Sequence, residues 1–236
     1  MSDWKTKRFW KEASVSSEDG GFGVRLDGRP LRTPAKAVLL VPSRGMAAAI
    51  AAEWDAQEKR ITPESMPVTR GANAAIDKVA NQRREVADML AAYGDSDLLC
   101  YRAEAPQSLV DRQAATWNPL LDWAETALGA RLQTRTGVIH APQAPEALKA
   151  LSDHTHRLTN FELAGFHDLV ALSGSLILGF AVFRNQGAVS EIWKKSQLDE
   201  QWQAERWGRD EEAGVLAEKK RQAFVNAALF VTLLSA

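Results

Sequence analysis

The chain has 236 residues, 29 Lys and Arg against 30 Asp and Glu, a formal net charge of -1 and 45% hydrophobic residues. That length supports one large domain or two modest ones, and the near-neutral balance provides no excess field to recruit nucleic acid or an anionic membrane. A single cysteine, Cys100, excludes an internal disulfide and fits a reducing compartment, and the polar, basic first ten residues lack the apolar stretch of a secretory leader.

In chain order, residues 22–26 alternate apolar and other side chains, as a half-buried strand does. Asp27-Gly28 reads as a hairpin turn, because glycine tolerates positive φ. Residues 30–33 and 37–41 continue as extended segments, punctuated by Pro34 and Pro42 in the manner of short edge strands. Ser43 is placed to cap a helix over residues 44–59, where Met46, Ile50 and Trp54 recur four apart. A loop over 61–67 with two prolines leads to a second helix over about 68–93, with a break near Asn81 and Gly94 as its C-cap. Residues 98–102 are short and apolar, and a strand is expected there. Residues 1–105 therefore read as a small N-terminal α+β domain.

The remainder, 106–236, reads as a mainly helical domain. Pro119 makes 106–128 one kinked helix or two short ones, and 129–140 is irregular or a brief strand. Further helices are expected over 145–158, 162–183, 188–207 and 210–234, joined by short connections that favour antiparallel packing. On the second of these, Leu163, Phe166, Val170, Ser173, Ile177 and Phe180 mark a core face, and Gly174 and Gly179 permit close approach of neighbours. The apolar runs 169–183 and 223–236 fall short of the ~20 residues that a membrane span needs, so they read as core helices.

The chain is poor in chemistry-bearing motifs. His154 and His156 stand two apart, so a helix points them away from each other, and no Cys or His cluster completes a metal shell. There is no Gly-x-Ser-x-Gly elbow, and the glycines at 20–23 lack the spacing and the following helix of a phosphate-binding loop. Cys100 on a buried strand reads as a structural thiol. Asp95 and Asp97 are explained by turn and capping chemistry, and Asp199 and Glu200, adjacent on a helix, diverge by ~100°. A hydrolase or transferase using Asp95, Asp97 or Glu200 in an interdomain cleft is the rival from another class, and it lacks a His, Ser or metal partner.

The most informative stretch is 196–208, with Trp193 just before it, most of it on the helix expected over 188–207. On one unbroken helix Trp193, Glu200 and Trp207, seven apart, form a stripe with Ser196 and Gln203 between them. Large rings around a carboxylate suit a surface that grips another protein. Alternatively Trp193 and Trp207 are core residues and Glu200 pairs with Lys194, Lys195 or Arg206. Trp4, Trp10, Trp54, Trp117 and Trp123 are assigned to packing.

Several stretches together resemble one family: residues 8–11 (Arg-Phe-Trp-Lys), 24–34 with Leu26-Asp-Gly-Arg29, 51–57 with Glu53-Trp-Asp-Ala-Gln57, 66–69, 75–77, 93–99, 117–123 and 196–208. This combination, spread over nearly the whole chain, is similar to the assembly chaperones for the alpha subunit of the ATP synthase catalytic head. The resemblance implies an α+β N-terminal domain followed by a helical one, no enzymatic activity and no cofactor. It implies binding of the unassembled alpha subunit, which is kept from aggregating until the beta subunit replaces it. The family's important acidic position matches Glu200 best, with Asp199 the adjacent candidate and Trp193, Gln203 and Trp207 around them as partner-binding candidates. Mitochondrial members carry a presequence. Here the Arg-Phe-Trp-Lys motif begins within ten residues of the start, so a bacterial cytoplasmic protein is expected, or a matrix one if a processed eukaryotic form.

Overall fold

A computed structural model describes residues 7–137, 139–208 and 211–236, so the packing expected of Trp4 lies outside the described residues. The N-terminal region combines strands with helices and the C-terminal region is mostly helical. By packing, residues 1–83, 159–165 and 229–236 form one unit, and 84–158 with 166–228 form another. This division differs from the boundary expected at residue 105. It places 84–105 with the helices and returns two later segments to the first unit.

In the first unit, β1 (Ala13–Glu18) pairs antiparallel with β2 (Gly21–Leu26), which pairs in turn with β3 (Arg29–Pro30) and β4 (Leu40–Val41). The Asp27-Gly28 turn forms as expected, with φ of 46° and 79°. The Asp27 carboxylate also accepts the Lys11 and Glu12 amides, and these bonds hold it below the usual carboxylate range. Strand β1 escapes the sequence pattern because Val15 is its one large apolar residue.

Helix α1 (Arg44–Asp55) covers the sheet with Met46, Ala47 and Ile50, all fully buried, and Ser43 caps it by accepting the Met46 amide at 3.0 Å. The helix stops before residue 59 because Gln57, 4% exposed, folds its amide onto Glu53 O, Ser65 and the Thr62 N–H. Glu53 accepts the Val68 and Thr69 amides at 2.7 Å, and so caps α2 (Pro67–Asp77) from outside. Asp55 takes the Ala13 amide, and Trp54 packs against buried Trp10 with ring centres 4.9 Å apart and planes tilted by 60°. The Glu-Trp-Asp-x-Gln motif is thus architectural. Phe230 rests on Gly71, where a Cβ would stand 2.6 Å from its ring.

The second unit holds most of α3 (Arg83–Ala91), then β5 (Tyr101–Arg102), α4 (Gln107–Leu128), β6 (Arg135–Thr136) and α5 (Pro145–His156). It also takes part of α6 (Asn160–Ser173), then α7 (Leu176–Phe183), α8 (Val189–Ser196), α9 (Leu198–Trp207) and most of α10 (Glu211–Leu233). The start of α10 expected at Asp210 lies outside the described residues.

Several expectations are corrected here. Helix α4 is a single helix with Pro119 inside it, so of the two alternatives expected there the pair of short helices is excluded. Gly94 is no C-cap: it lies in a 3-10 turn over 92–96, where a Cβ would stand 2.8 Å from Leu151. Residues 98–100 are a 3-10 turn, and only Tyr101–Arg102 is strand. The long apolar helix over 162–183 is two helices. Gly174, at φ 70°, ends α6, and Ser175 caps α7 by accepting the Leu178 amide. Gly179 does provide the close approach expected, with Val170 and Phe166 packed against it. All six positions of the expected core face are buried.

Candidate partner-binding cleft

The proposed stripe is broken at its first third. Gln197, at φ -105° and ψ 18°, separates α8 from α9. Trp193 is 5% exposed and packs 5.2 Å from the Phe224 ring, and buried Ser196 donates to Trp193 O. Seven-residue spacing aligns azimuths only along one continuous helix, so Trp193 is a core residue and leaves the site. The buried Trp117 indole donates to Lys195 O at 2.9 Å and fixes the end of α8.

Helix α9 is different, since Leu198 is its one buried residue. Asp199 and Glu200 occupy the first turn, where the helix dipole favours negative charge. Asp199 is half-buried, and its Oδ1 accepts Gln113 Nε2 at 2.8 Å. Gln113, 2% exposed on α4, uses its Oε1 to accept the Ala103 amide at 2.9 Å. One buried amide therefore ties the carboxylate to both α4 and the end of β5. Two turns further along, Arg112 meets Glu205 with a two-pronged bond at 2.6 and 3.1 Å. That bond raises the Arg112 pKa and holds the Glu205 carboxyl below its usual range. The Trp202 ring receives the guanidinium groups of Arg206 at 4.8 Å and Arg112 at 5.9 Å.

These residues border a cleft of about 320 Å³ lined by Arg102, Leu109, Asp199, Trp202, Gln203 and Trp207 among others. Trp207 is 79% exposed. Arg102 donates through Nε to Leu99 O at 2.8 Å and lies 5.2 Å over the Trp117 ring. Burial lowers its pKa, and the Asp199 charge opposes that shift. The cleft thus offers an apolar wall, a fixed carboxylate and a half-buried cation.

Of the residues singled out in the sequence, the structure brings together Asp199, Gln203 and Trp207. Glu200 is exposed on α9 and does not line the cleft. Sequence reasoning missed Arg102, Leu109, Gln113 and Trp202. Three of these come from elements distant in sequence and carry no local signal. Trp202 was legible: Asp199, Trp202, Gln203 and Trp207 follow the i, i+3, i+4, i+8 pattern of one helical face.

The other acidic candidates are structural. Asp95 accepts the Gln143 amide at 2.7 Å and meets His140 at 3.0 Å. Asp97, fully buried, accepts from Leu99 N, Ile177 N and Ser175 Oγ, joining the β5 approach to the start of α7. Burial pushes the Cys100 thiol up to about 12, which makes it inert. His156 pairs with Asp88, while His154 lies near Arg157 and Arg184. Among the described residues no three His, Cys, Asp or Glu side chains gather as a metal site would need.

The family described as ATP12 chaperone protein matches residues 7–125. Atp12 from Paracoccus denitrificans, a crystal structure, superposes with a TM-score of 0.95 at 48% identity, covering 98% of this chain and 100% of that one. An aspartate-to-lysine mutant of the P. denitrificans protein superposes at 0.96, again at 48% identity, covering 99% of this chain and 100% of that one. The mitochondrial protein atp12 of Schizosaccharomyces pombe is 27% identical over 220 residues, 88% of this chain and 75% of its own length. With half of its length matched by the family and nearly all of it shared with a relative of 48% identity, the chain belongs to the ATP12 chaperone protein family.

Proposed function

We propose that this chaperone, which assists assembly of the alpha subunit of the ATP synthase catalytic head, grips that subunit with the α9 cleft. Asp199 is the central carboxylate, Trp202 and Trp207 provide the apolar grip, and Gln203 borders them. Glu200 stands outside the cleft and steers encounter. The observation that carries this assignment is a tryptophan 79% exposed at the mouth of a cleft whose carboxylate is held by a buried amide. An unassembled ring subunit exposes apolar interface, and a tryptophan anchor can contribute about 2–4 kcal/mol against it. The fixed carboxylate adds selectivity for a donor-rich surface and rejects acidic ones. Such a grip yields to the larger native interface with the beta subunit without ATP hydrolysis. The bacterial and mitochondrial relatives fit action in a bacterial cytoplasm or a mitochondrial matrix.

The test is suppression of aggregation of purified alpha subunit, followed by light scattering. Asp199→Lys removes the Gln113 acceptor and places a cation near Arg102, and the variant is expected to lose protection while keeping its helical circular dichroism. Wild-type protection by a folded Asp199→Lys variant would remove the cleft from the mechanism.

A further inference from the structure

The buried stripe of α4 is apolar except at Gln113, where a leucine or methionine would serve the core more simply. The orientation of the Gln113 amide is dictated by what it meets. Only Oε1 can answer the Ala103 N–H at 2.9 Å, which leaves Nε2 toward Asp199 at 2.8 Å. Position 199 must therefore supply an acceptor. An aspartate in the first turn of α9 has two competing partners: the amides that begin its own helix, and Arg102, which lines the same cleft. Asp199 takes neither. Its one hydrogen bond among the described residues comes from Gln113, and no ion pair joins it to Arg102, although its charge reaches that guanidinium. Arg102 in turn spends Nε on Leu99 O and leaves Nη2 buried with no hydrogen-bond partner. The cleft thus keeps an anion and a cation that do not neutralise each other.

We propose that Gln113 is the positioning residue of the partner-binding cleft: its buried amide holds the Asp199 carboxylate as an acceptor, away from Arg102 and from the amides of α9, where the alpha subunit meets it. The inference rests on the α9-cleft reading. It gives α4 a part in binding that acts on the partner through Asp199. A side chain 2% exposed is placed for that role, since it fixes the carboxylate and is shielded from the occupant itself.

Titration of the full chain with purified alpha subunit between about pH 5.5 and pH 8, alongside urea unfolding, tests it. Gln113→Glu keeps the shape and the Ala103 bond, and brings a second carboxylate within 2.8 Å of Asp199. Two carboxylates that close cannot both stay ionised. At about pH 8 they repel and Asp199 turns away, so affinity is expected to fall at least about tenfold. Toward about pH 5.5 one shared proton takes the place of the Nε2 hydrogen, and affinity is expected to return to within about threefold of wild type at the same pH. The other charged groups about the site, Arg102 on β5, Arg112 on α4 and Glu200 and Glu205 on α9, are common to both chains and cancel in that comparison. In Gln113→Glu/Asp199→Asn the roles are exchanged, because the introduced amide donates to the introduced carboxylate and every bond of the lock is kept. Its urea midpoint is expected to match wild type, while affinity stays down by about tenfold at every pH because the carboxylate has moved into the core. A folded Gln113→Glu chain that binds as wild type does at every pH, or whose defect pH does not relieve, would overturn the positioning role and leave the cleft standing so long as Asp199→Lys abolishes binding. Full binding by the double variant would show that the lock serves the fold alone, and would overturn it too. Wild-type binding by Asp199→Lys would remove the α9 cleft, and the role of Gln113 with it.

Discussion

Helices α8 and α9 are consecutive, similar in length and each carries tryptophan, yet they do opposite things. On α8, Ile192 and Trp193 are buried while Glu191 and Lys194 pair on the outside. On α9 only Leu198 is buried, and Trp207 is left to solvent. Residue type does not decide between core and contact surface. The break at Gln197 does, because it ends the azimuthal register that would have carried Trp193 and Trp207 along one face. The helix end at Lys195 is then pinned by the Trp117 indole, so α8 belongs to the scaffold and α9 is presented by it.

The largest expected effect breaks the scaffold side of this contrast. Trp193→Ala empties a site packed on Phe224, and it is expected to cost about 3–5 kcal/mol of unfolding free energy by urea denaturation. A loss below about 1 kcal/mol would mean that Trp193 is not core and would restore the continuous stripe. A second large effect separates a scaffold carboxylate from a contact one. Burial pushes the Asp97 carboxyl up to about 6, outweighing the donors at Ile177, Ser175 and Leu99. A pKa raised in the folded chain means that the fold binds the proton more tightly. Its stabilisation is therefore complete below an unfolded value near 3.9 and is lost as pH rises through about 6, on the order of 3 kcal/mol in all. Stability measured from pH 4 to 6.5 should fall by about 2 kcal/mol of that total in the wild-type chain relative to Asp97→Asn, which cannot titrate. Parallel pH profiles would show that Asp97 is not the titrating group.

How much of this was legible in sequence depends on the range of the interaction. Local devices were readable: the Asp27-Gly28 turn, the Ser43 cap and the core positions from Leu163 to Phe180. Helix ends set by distant partners were not. Ser175 caps α7 while donating to Asp97, 78 residues away, and no window over 162–183 contains that carboxylate. The cleft divides the same way. Its α9 face follows a helical period that begins at Asp199, and it was obscured by counting sevens from Trp193. Gln113 and Arg102 reach the site only through tertiary packing, and a lone glutamine in a helix carries no sign of the amide it will hold. The resemblance to a chaperone family favoured Glu200 with Asp199 beside it, and the two differ in the structure in that Asp199 is half-buried and Glu200 is exposed.

The contact side of the contrast is sharpened by effects on binding with stability held fixed. Trp207→Ala removes a ring with little to lose in the folded chain, so its unfolding free energy should stay within about 0.5 kcal/mol of wild type. Its affinity for the alpha subunit should fall by about 2 kcal/mol, a factor of roughly 30 by isothermal titration. The reverse pattern, with stability lost and affinity kept, would turn α9 into another α8.

The smallest effect belongs to Glu200. It is exposed and lies one residue outside the cleft lining, so in the proposed reading it acts through its field more than through contact. Glu200→Lys should lower the association rate a few-fold at low salt, and the difference should close as ionic strength rises past a Debye length of about 8 Å. Asp199→Lys, whose carboxylate is held against Gln113, should instead accelerate dissociation, and salt should not restore it. A Glu200 variant whose defect persists at high salt would move the central carboxylate one residue along the helix and turn the binding face outward from the cleft.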